Sequence, residues 1–208
     1  GFSSLLLLVS GLLIFLSNQF FEREEEKISD YVALFVFALV GALLMISYGN
    51  LATLFIGIEI LSISLYVLAA SNRKSLASNE AGMKYFLMGA FMTGFLLLGI
   101  TLLYGVSGSF DVIEIQTALM SKTSSPSLTS AAVSLVLEML FKGSVAPFHF
   151  WAPDVYTGSP TLVTGFMSTV AKVAAFGAMY KLFAVALVPK IYEVEPLLIM
   201  FIILTFII

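Results

Sequence analysis

The chain has 208 residues, of which 60% are hydrophobic and 11% charged; a water-soluble domain of that size has too little polar surface to cover so much apolar side chain, so the bilayer is its solvent. The net charge of -3 comes largely from one acidic run and leaves no basic face for a nucleic acid. Without a single cysteine, the chain holds no disulfide, no thiolate-ligated iron–sulfur cluster and no Cys zinc site.

A membrane-spanning helix needs about 20 apolar residues. Polar breaks divide the chain into spans at 1–20, 31–48, 51–70, 81–105, 128–148, 160–187 and a truncated one at 196–208. The first opens at Gly1 without an initiator Met or a basic leader, so it reads as a span and not as a signal peptide. After it comes the connector with Glu22–Glu26, a solvated loop. Gly49-Asn50 is a tight turn between the next two spans.

Glu59 stands near the middle of 51–70, with Ser62 three residues on and Tyr66 seven on. Helical spacing puts all three on one face, and Leu, Ile and Val fill the other. A charge at bilayer depth costs roughly 2.5–3.5 kcal/mol. That face is therefore turned toward protein or water.

Ser71–Asn79 is a polar connector, and Lys84 lies near the start of 81–105, where its stem can snorkel. Ser107–Ser127 is a Gly/Ser/Thr-rich link. In 128–148, Ser134, Glu138 and Lys142 follow at four-residue steps, so the glutamate and lysine can neutralise each other within one helix. Gly143 and Pro147 predict a helix break near Lys142–Pro147. Unwound backbone at this depth needs protein or a cavity to satisfy it, and a break beside a lysine is how many transporters build an ion site; the other reading is a simple kink. His149, at the edge of the break, is either a structural hydrogen-bonding residue or a proton relay. Trp151 and Tyr156 read as interfacial anchors.

Ser159-Pro160 predicts an N-cap followed by proline at the first helical position. Beyond it, Thr161, Thr164, Ser168 and Lys172 recur at three- and four-residue steps. The row is either a wet half-path ending on a titratable amine or a set of hydroxyls bonded back to their own helix or packed against neighbours. Lys181 near the span end reads as a snorkelling residue. Leu197 to Ile208 is apolar but too short to cross, so the chain is expected to be an interior piece of a longer protein.

Loop charges set the orientation. Arg23, Lys27, Arg73 and Lys74 lie on one side, and Lys122 and Lys190 on the other, which places the 21–30, 71–80 and 149–159 connectors in the cytoplasm. Lysine suits a proton carrier because desolvation disfavours its charged form, whereas a nearby carboxylate favours it.

The run Phe141-Lys142-Gly143-Ser144-Val145-Ala146-Pro147-Phe148-His149-Phe150-Trp151-Ala152-Pro153-Asp154-Val155-Tyr156, continuing through Gly158, Pro160, Val163 and Thr164 to Lys172, resembles the signature of the antiporter-like membrane subunits of respiratory complex I. Leu54 to Ser62 and Glu80 to Phe86 agree with the same family. The resemblance implies an all-α, multi-pass transmembrane bundle, the first of two inverted five-helix repeats, each with a broken helix. It implies that Glu59 pairs with Lys142 and that Lys172 leads toward a central hydrophilic axis; Lys84 and His149 also fall on motif positions. Two departures matter. Glu138 stands where the family has a small or apolar residue and competes with Glu59 for Lys142. Ala171 stands where a proline often precedes the lysine, so a milder distortion is expected there.

The function so implied is proton translocation in a membrane subunit of a proton-pumping NADH–quinone oxidoreductase. Glu59, Lys142 and Lys172 carry the proton, and Lys84, His149 and Glu138 are secondary candidates. No cofactor or metal is expected in this chain: NADH, FMN, iron–sulfur clusters and quinone belong to partner subunits. The partners are the other membrane subunits and the lipid bilayer. The location is a bacterial inner membrane or, alternatively, an organellar one. Two other readings use the same residues: a subunit of a multi-subunit cation/proton antiporter, and a passive scaffold whose charges only hold helices together.

Overall fold

In lipid every backbone N–H and C=O must find a partner inside the protein, and a chain this apolar meets that demand with helices. The computed structural model describes residues 1–17, 28–121, 123 and 125–208. The acidic run Glu22–Glu26, its neighbours Arg23 and Lys27, and Lys122 lie outside the described residues. The described chain forms α1 (Phe2–Leu16), α2 (Ile28–Ser47), α3 (Leu51–Ala69), α4 (Leu76–Ser107), α5 (Val112–Ser121), α6 (Pro126–Gly143), α7 (Ala152–Gly158), α8 (Thr161–Ser168) and α9 (Val170–Lys181). A π-helical turn (Leu182–Ala186) and a 3-10 turn (Val188–Lys190) lead into α10 (Ile191–Ile207).

Among the described residues, four helical stretches are long and apolar enough to cross a membrane: Ile28–Ser47, Leu51–Ala69, Leu76–Ser107 and Thr161–Ala186. At 1.5 Å per residue, α4 is about 48 Å long, well beyond a hydrocarbon layer of about 30 Å. Its first turns, with Glu80 and Lys84, therefore reach past that layer.

Helix ends follow local chemistry. The Asn50 side chain accepts from Ala52 N–H at 2.8 Å and starts α3. Ser75 accepts from Ser78 N–H at 3.3 Å and starts α4, and Gly108, at φ 78°, closes that helix in the left-handed region open to glycine. The cap-plus-proline signal operates at Ser125-Pro126, where the serine accepts from Leu128 N–H at 3.3 Å. It does not operate at Ser159-Pro160. There α8 begins at Thr161, and the Ser159 hydroxyl is buried without a partner. Replacing Asn50 with Ala is expected to lower stability by about 1 kcal/mol, read as a lower unfolding midpoint in detergent.

Small residues set the closest packing. A Cβ on Gly41 would clash with Leu61 N and lie 2.8 Å from Gly57 O, so α2 and α3 cross backbone to backbone. At Gly99 a Cβ would lie 2.7 Å from Leu135 Cγ, which brings α4 against α6. A Cβ on Gly158 would lie 2.5 Å from Ala77 O, which seats α7 on the start of α4.

The connectors group as the alternation of spans requires. Leu51 N–H bonds Phe110 O at 2.9 Å and Val112 N–H bonds Gly49 O at 3.0 Å, joining the 49–50 turn to the 108–112 link. At the opposite end the 71–80 connector meets α7. One link and two spans differ from the sequence reading. The 107–127 link contains α5, whose Val112, Ile115 and Leu119 are buried. The 160–187 span divides at Thr169 (φ -117°, ψ -74°), where the hydroxyl bonds Gly165 O at 2.6 Å and competes with the helix ladder. The last span begins at Ile191 and carries Pro196 inside α10.

Candidate functional site

The site is built around the end of α6. The helix stops at Gly143, and Ser144 takes the left-handed conformation at φ 57° and ψ 41°. Ser144 N–H returns to Phe141 O and Val145 N–H to Leu140 O, both at 3.0 Å. These are the two bonds of a Schellman ending. The backbone runs without regular helix to Ala152, with a cis Ala146–Pro147 bond on the way. The predicted break is therefore present. Its turning residue is Ser144 and not the adjacent Gly143, although a non-glycine residue in that conformation costs roughly 1–2 kcal/mol.

The Schellman bonds satisfy the carbonyls of Leu140 and Phe141 and leave that of Lys142 free. Lys172, from α9, fills the vacancy: its ammonium donates to Lys142 O at 2.8 Å and to Ser144 Oγ at 2.5 Å. A cation at a helix C-terminus also meets the negative end of the helix dipole. The same ammonium lies 5.2 Å from the Trp151 ring centroid and 6.0 Å from that of Tyr156.

One turn back in α6, Lys142 is 3.5 Å from Glu138 Oε1. Glu138 is 0% exposed, and neither carboxylate oxygen accepts a hydrogen bond among the described residues. Lys142 donates to Ser62 Oγ at 2.8 Å, and the Ser62 hydroxyl donates in turn to Ile58 O at 2.5 Å. Glu59 is held by Thr93 of α4, whose hydroxyl donates to Glu59 Oε1 at 2.8 Å. The direct Glu59–Lys142 pair that the resemblance implied is thus replaced. Among the described residues the ion-pair partner of Lys142 is Glu138, because Ser62 occupies the ammonium on the α3 side and Thr93 draws the Glu59 carboxylate to α4.

Aromatic residues wall this cluster. Tyr66 packs edge-on to Tyr85 at 4.8 Å and lies where a Cβ on Gly89 would stand. Tyr85 stacks on Trp151 at 4.7 Å and 9°. Trp151 is 4% exposed and also touches Phe141 at 5.2 Å, so it is a core residue and not an interfacial anchor. The chain doubles back after the break and carries the indole inward. Tyr156, half-buried, packs edge-on to it at 5.9 Å.

The other candidates lie apart. Lys84 is half-buried, pairs with Glu80 at 2.6 Å and Asp154 at 2.5 Å, and ties α7 to α4. His149 is half-buried, and among the described residues its Nδ1 lacks a partner and it makes no bond to the lysines. In the hydroxyl row, Thr164 donates to Tyr156 O at 2.9 Å and Ser168 to Gly165 O at 3.2 Å, while Thr161 and Ser168 are exposed. The Ser168 bond stays within α8 whereas the Thr164 bond reaches α7, and the break at Thr169 separates the row from Lys172. Lys181 bonds the carbonyls of Ser47 and Tyr48 at the end of α2 instead of snorkelling. Sequence reasoning missed Thr93 and Ser144. The signal for Ser144 was its place after Gly143 in the break; Thr93 sits among apolar residues with no periodic partner.

The family model described as NADH:quinone oxidoreductase/Mrp antiporter, TM, matches residues 48–208. NADH-quinone oxidoreductase subunit N of Flavobacterium psychrophilum is 50% identical over 199 residues, covering 96% of this chain and 44% of that protein. Subunit N of Trichlorobacter lovleyi is 46% identical over 200 residues, covering 95% and 41%. The chain spans less than half the length of these curated relatives. Among solved structures, a chain of respiratory complex I from Thermus thermophilus superposes with a TM-score of 0.73 at 35% identity, covering 86% of this chain and 38% of that one. A chain of the Mrp complex from Dietzia sp. gives 0.74 at 23% identity over 89% and 35%, a likeness of fold alone.

Proposed function

The chain belongs to the NADH:quinone oxidoreductase/Mrp antiporter transmembrane family, and on that premise we propose that it moves protons as part of subunit N of a bacterial inner-membrane NADH–quinone oxidoreductase. Electron transfer, with NADH, FMN, iron–sulfur clusters and quinone, belongs to partner subunits. The neighbouring membrane subunits pass its energy to this one. The observation that carries the reading is the convergence of ionisable groups from α3, α6 and α9 around one helix break: Glu59 beside Ser62, Lys142 between Ser62 and Glu138, and Lys172 on the carbonyl of Lys142.

The energies are of the right size. Two unit charges 3.5 Å apart interact by about 5 kcal/mol at an effective dielectric of about 20. Moving one charge against 100 mV takes about 2.3 kcal/mol. Closing or opening such a pair therefore suffices to load or unload a proton at Lys142 against a working membrane potential. Glu59, held by Thr93, is the second carboxylate within reach of that field.

In membrane vesicles carrying the full-length protein in its complex, Glu59→Gln is expected to lower NADH-driven proton uptake at least tenfold while the complex still assembles. Unchanged uptake would mean that the charges only hold helices together. The cation/proton antiporter reading rests on the same fold and family, and the subunit N relatives weigh against it. Cation-driven proton exchange in the same vesicles without NADH would favour it.

A further inference from the structure

Three features at the end of α6 need a common cause. The turn places Ser144, not Gly143, in the left-handed region. The Schellman bonds leave the Lys142 carbonyl unsatisfied within the helix. The Lys172 ammonium crosses from α9 to bond both that carbonyl and the Ser144 hydroxyl. A glycine at position 144 would remove the backbone cost and forfeit the oxygen.

We propose that Ser144 is a positioning residue that fixes the Lys172 ammonium as the cationic cap of α6, so that Lys172 and Lys142 are linked through a peptide carbonyl and not through a shared carboxylate. The idea rests on the proposed proton-moving role and adds the physical link between its two lysines. The two ammonium groups repel each other, and neither carries its own charge partner on the α9 side. What holds Lys172 in place is two oxygens of the broken segment together with the faces of Trp151 and Tyr156. When Lys172 leaves, the Lys142 carbonyl loses its donor. The turn that carries Lys142 and Glu138 is then free to shift. Lys142 and Tyr156 are the titratable groups that face Lys172 in this arrangement, the first from α6 and the second from α7.

The test compares Ser144→Gly with Ser144→Asn in the full-length protein within its native complex. Glycine keeps the turn and loses the acceptor. Asparagine tolerates the left-handed region and restores a side-chain oxygen. The complex is treated with acetic anhydride, and acetylation of Lys172 is measured by mass spectrometry against that of Lys84 in the same sample. The glycine variant is expected to raise Lys172 labelling at least threefold, with asparagine within twofold of the parent. The same pattern is expected in proton uptake: its pH profile moves in the glycine variant and returns in the asparagine one. Parental labelling in the glycine variant, or an equal rise in both, would overturn the assignment. If labelling follows the expected pattern while Glu59→Gln leaves proton uptake intact, the positioning of Lys172 stands and the proton-moving role falls.

Discussion

Lys142→Met is expected to destabilise the protein by about 3–5 kcal/mol and to abolish proton uptake. The size follows from what the lysine leaves behind. Glu138 is fully buried, lies 3.5 Å from Lys142 and accepts no hydrogen bond among the described residues. Removing one member of a buried pair strands the other in a medium that solvates it poorly. Ser62 loses its donor as well, although its hydroxyl still donates to Ile58 O. Lys142→Met combined with Glu138→Leu should recover most of the stability, because a buried ion pair replaced by apolar residues of similar volume is often neutral or better. Proton uptake should not return. Unfolding midpoints of the purified complex and uptake in vesicles separate the two effects. A single variant within about 1 kcal/mol of the parent, with no gain in the double, would show that the pair is not the closed unit described here.

That pair also marks how far the sequence could be read. Helical spacing places Glu138 and Lys142 on one face of one helix, and it places Glu59, Ser62 and Tyr66 on one face of another. It cannot say which carboxylate reaches the ammonium, because that depends on the rotation of two helices against each other. The break was legible in Gly143 and Pro147, since each removes something a helix needs. The turning residue was not, because the adjacent glycine is the easier choice and Ser144 gains its place from Lys172, 28 residues away. Trp151 was misread for a related reason. An aromatic just beyond a span resembles an anchor until the chain is seen to fold back and stack it on Tyr85. In α5 the buried Val112, Ile115 and Leu119 follow helical spacing, but the Gly, Ser and Thr residues around them masked it. Local chemistry therefore carries the spans, the caps and the break. Contacts between distant segments decide the site.

Gly41→Leu is expected to be the most damaging single change outside the charged cluster. A side chain there would meet backbone, not the yielding end of another side chain: Leu61 N lies closer to the Cβ position than any real contact, and Gly57 O lies 2.8 Å from it. The facing Gly57 is equally closed, with Met45 N at 2.9 Å and Gly41 O at 3.0 Å. Helices in lipid gain little from burying apolar surface and associate through close packing, so forcing α2 away from α3 removes what joins them. The strain and lost contact amount to about 3 kcal/mol or more. The consequence also reaches function, because Glu59 and Ser62 follow Gly57 on α3. A shift of about 1 Å in a positioned group can cost on the order of 100-fold in rate. The control is Gly94→Ala on α4, where a Cβ meets nothing within 4 Å and stability should change by less than about 0.5 kcal/mol. Gly41→Leu should sharply reduce the assembled complex on a native gel, and whatever assembles should pump poorly. Assembly and uptake equal to those of Gly94→Ala would mean that α2 and α3 do not cross at these glycines, and the placement of Glu59 and Ser62 beside Lys142 would fall with that crossing.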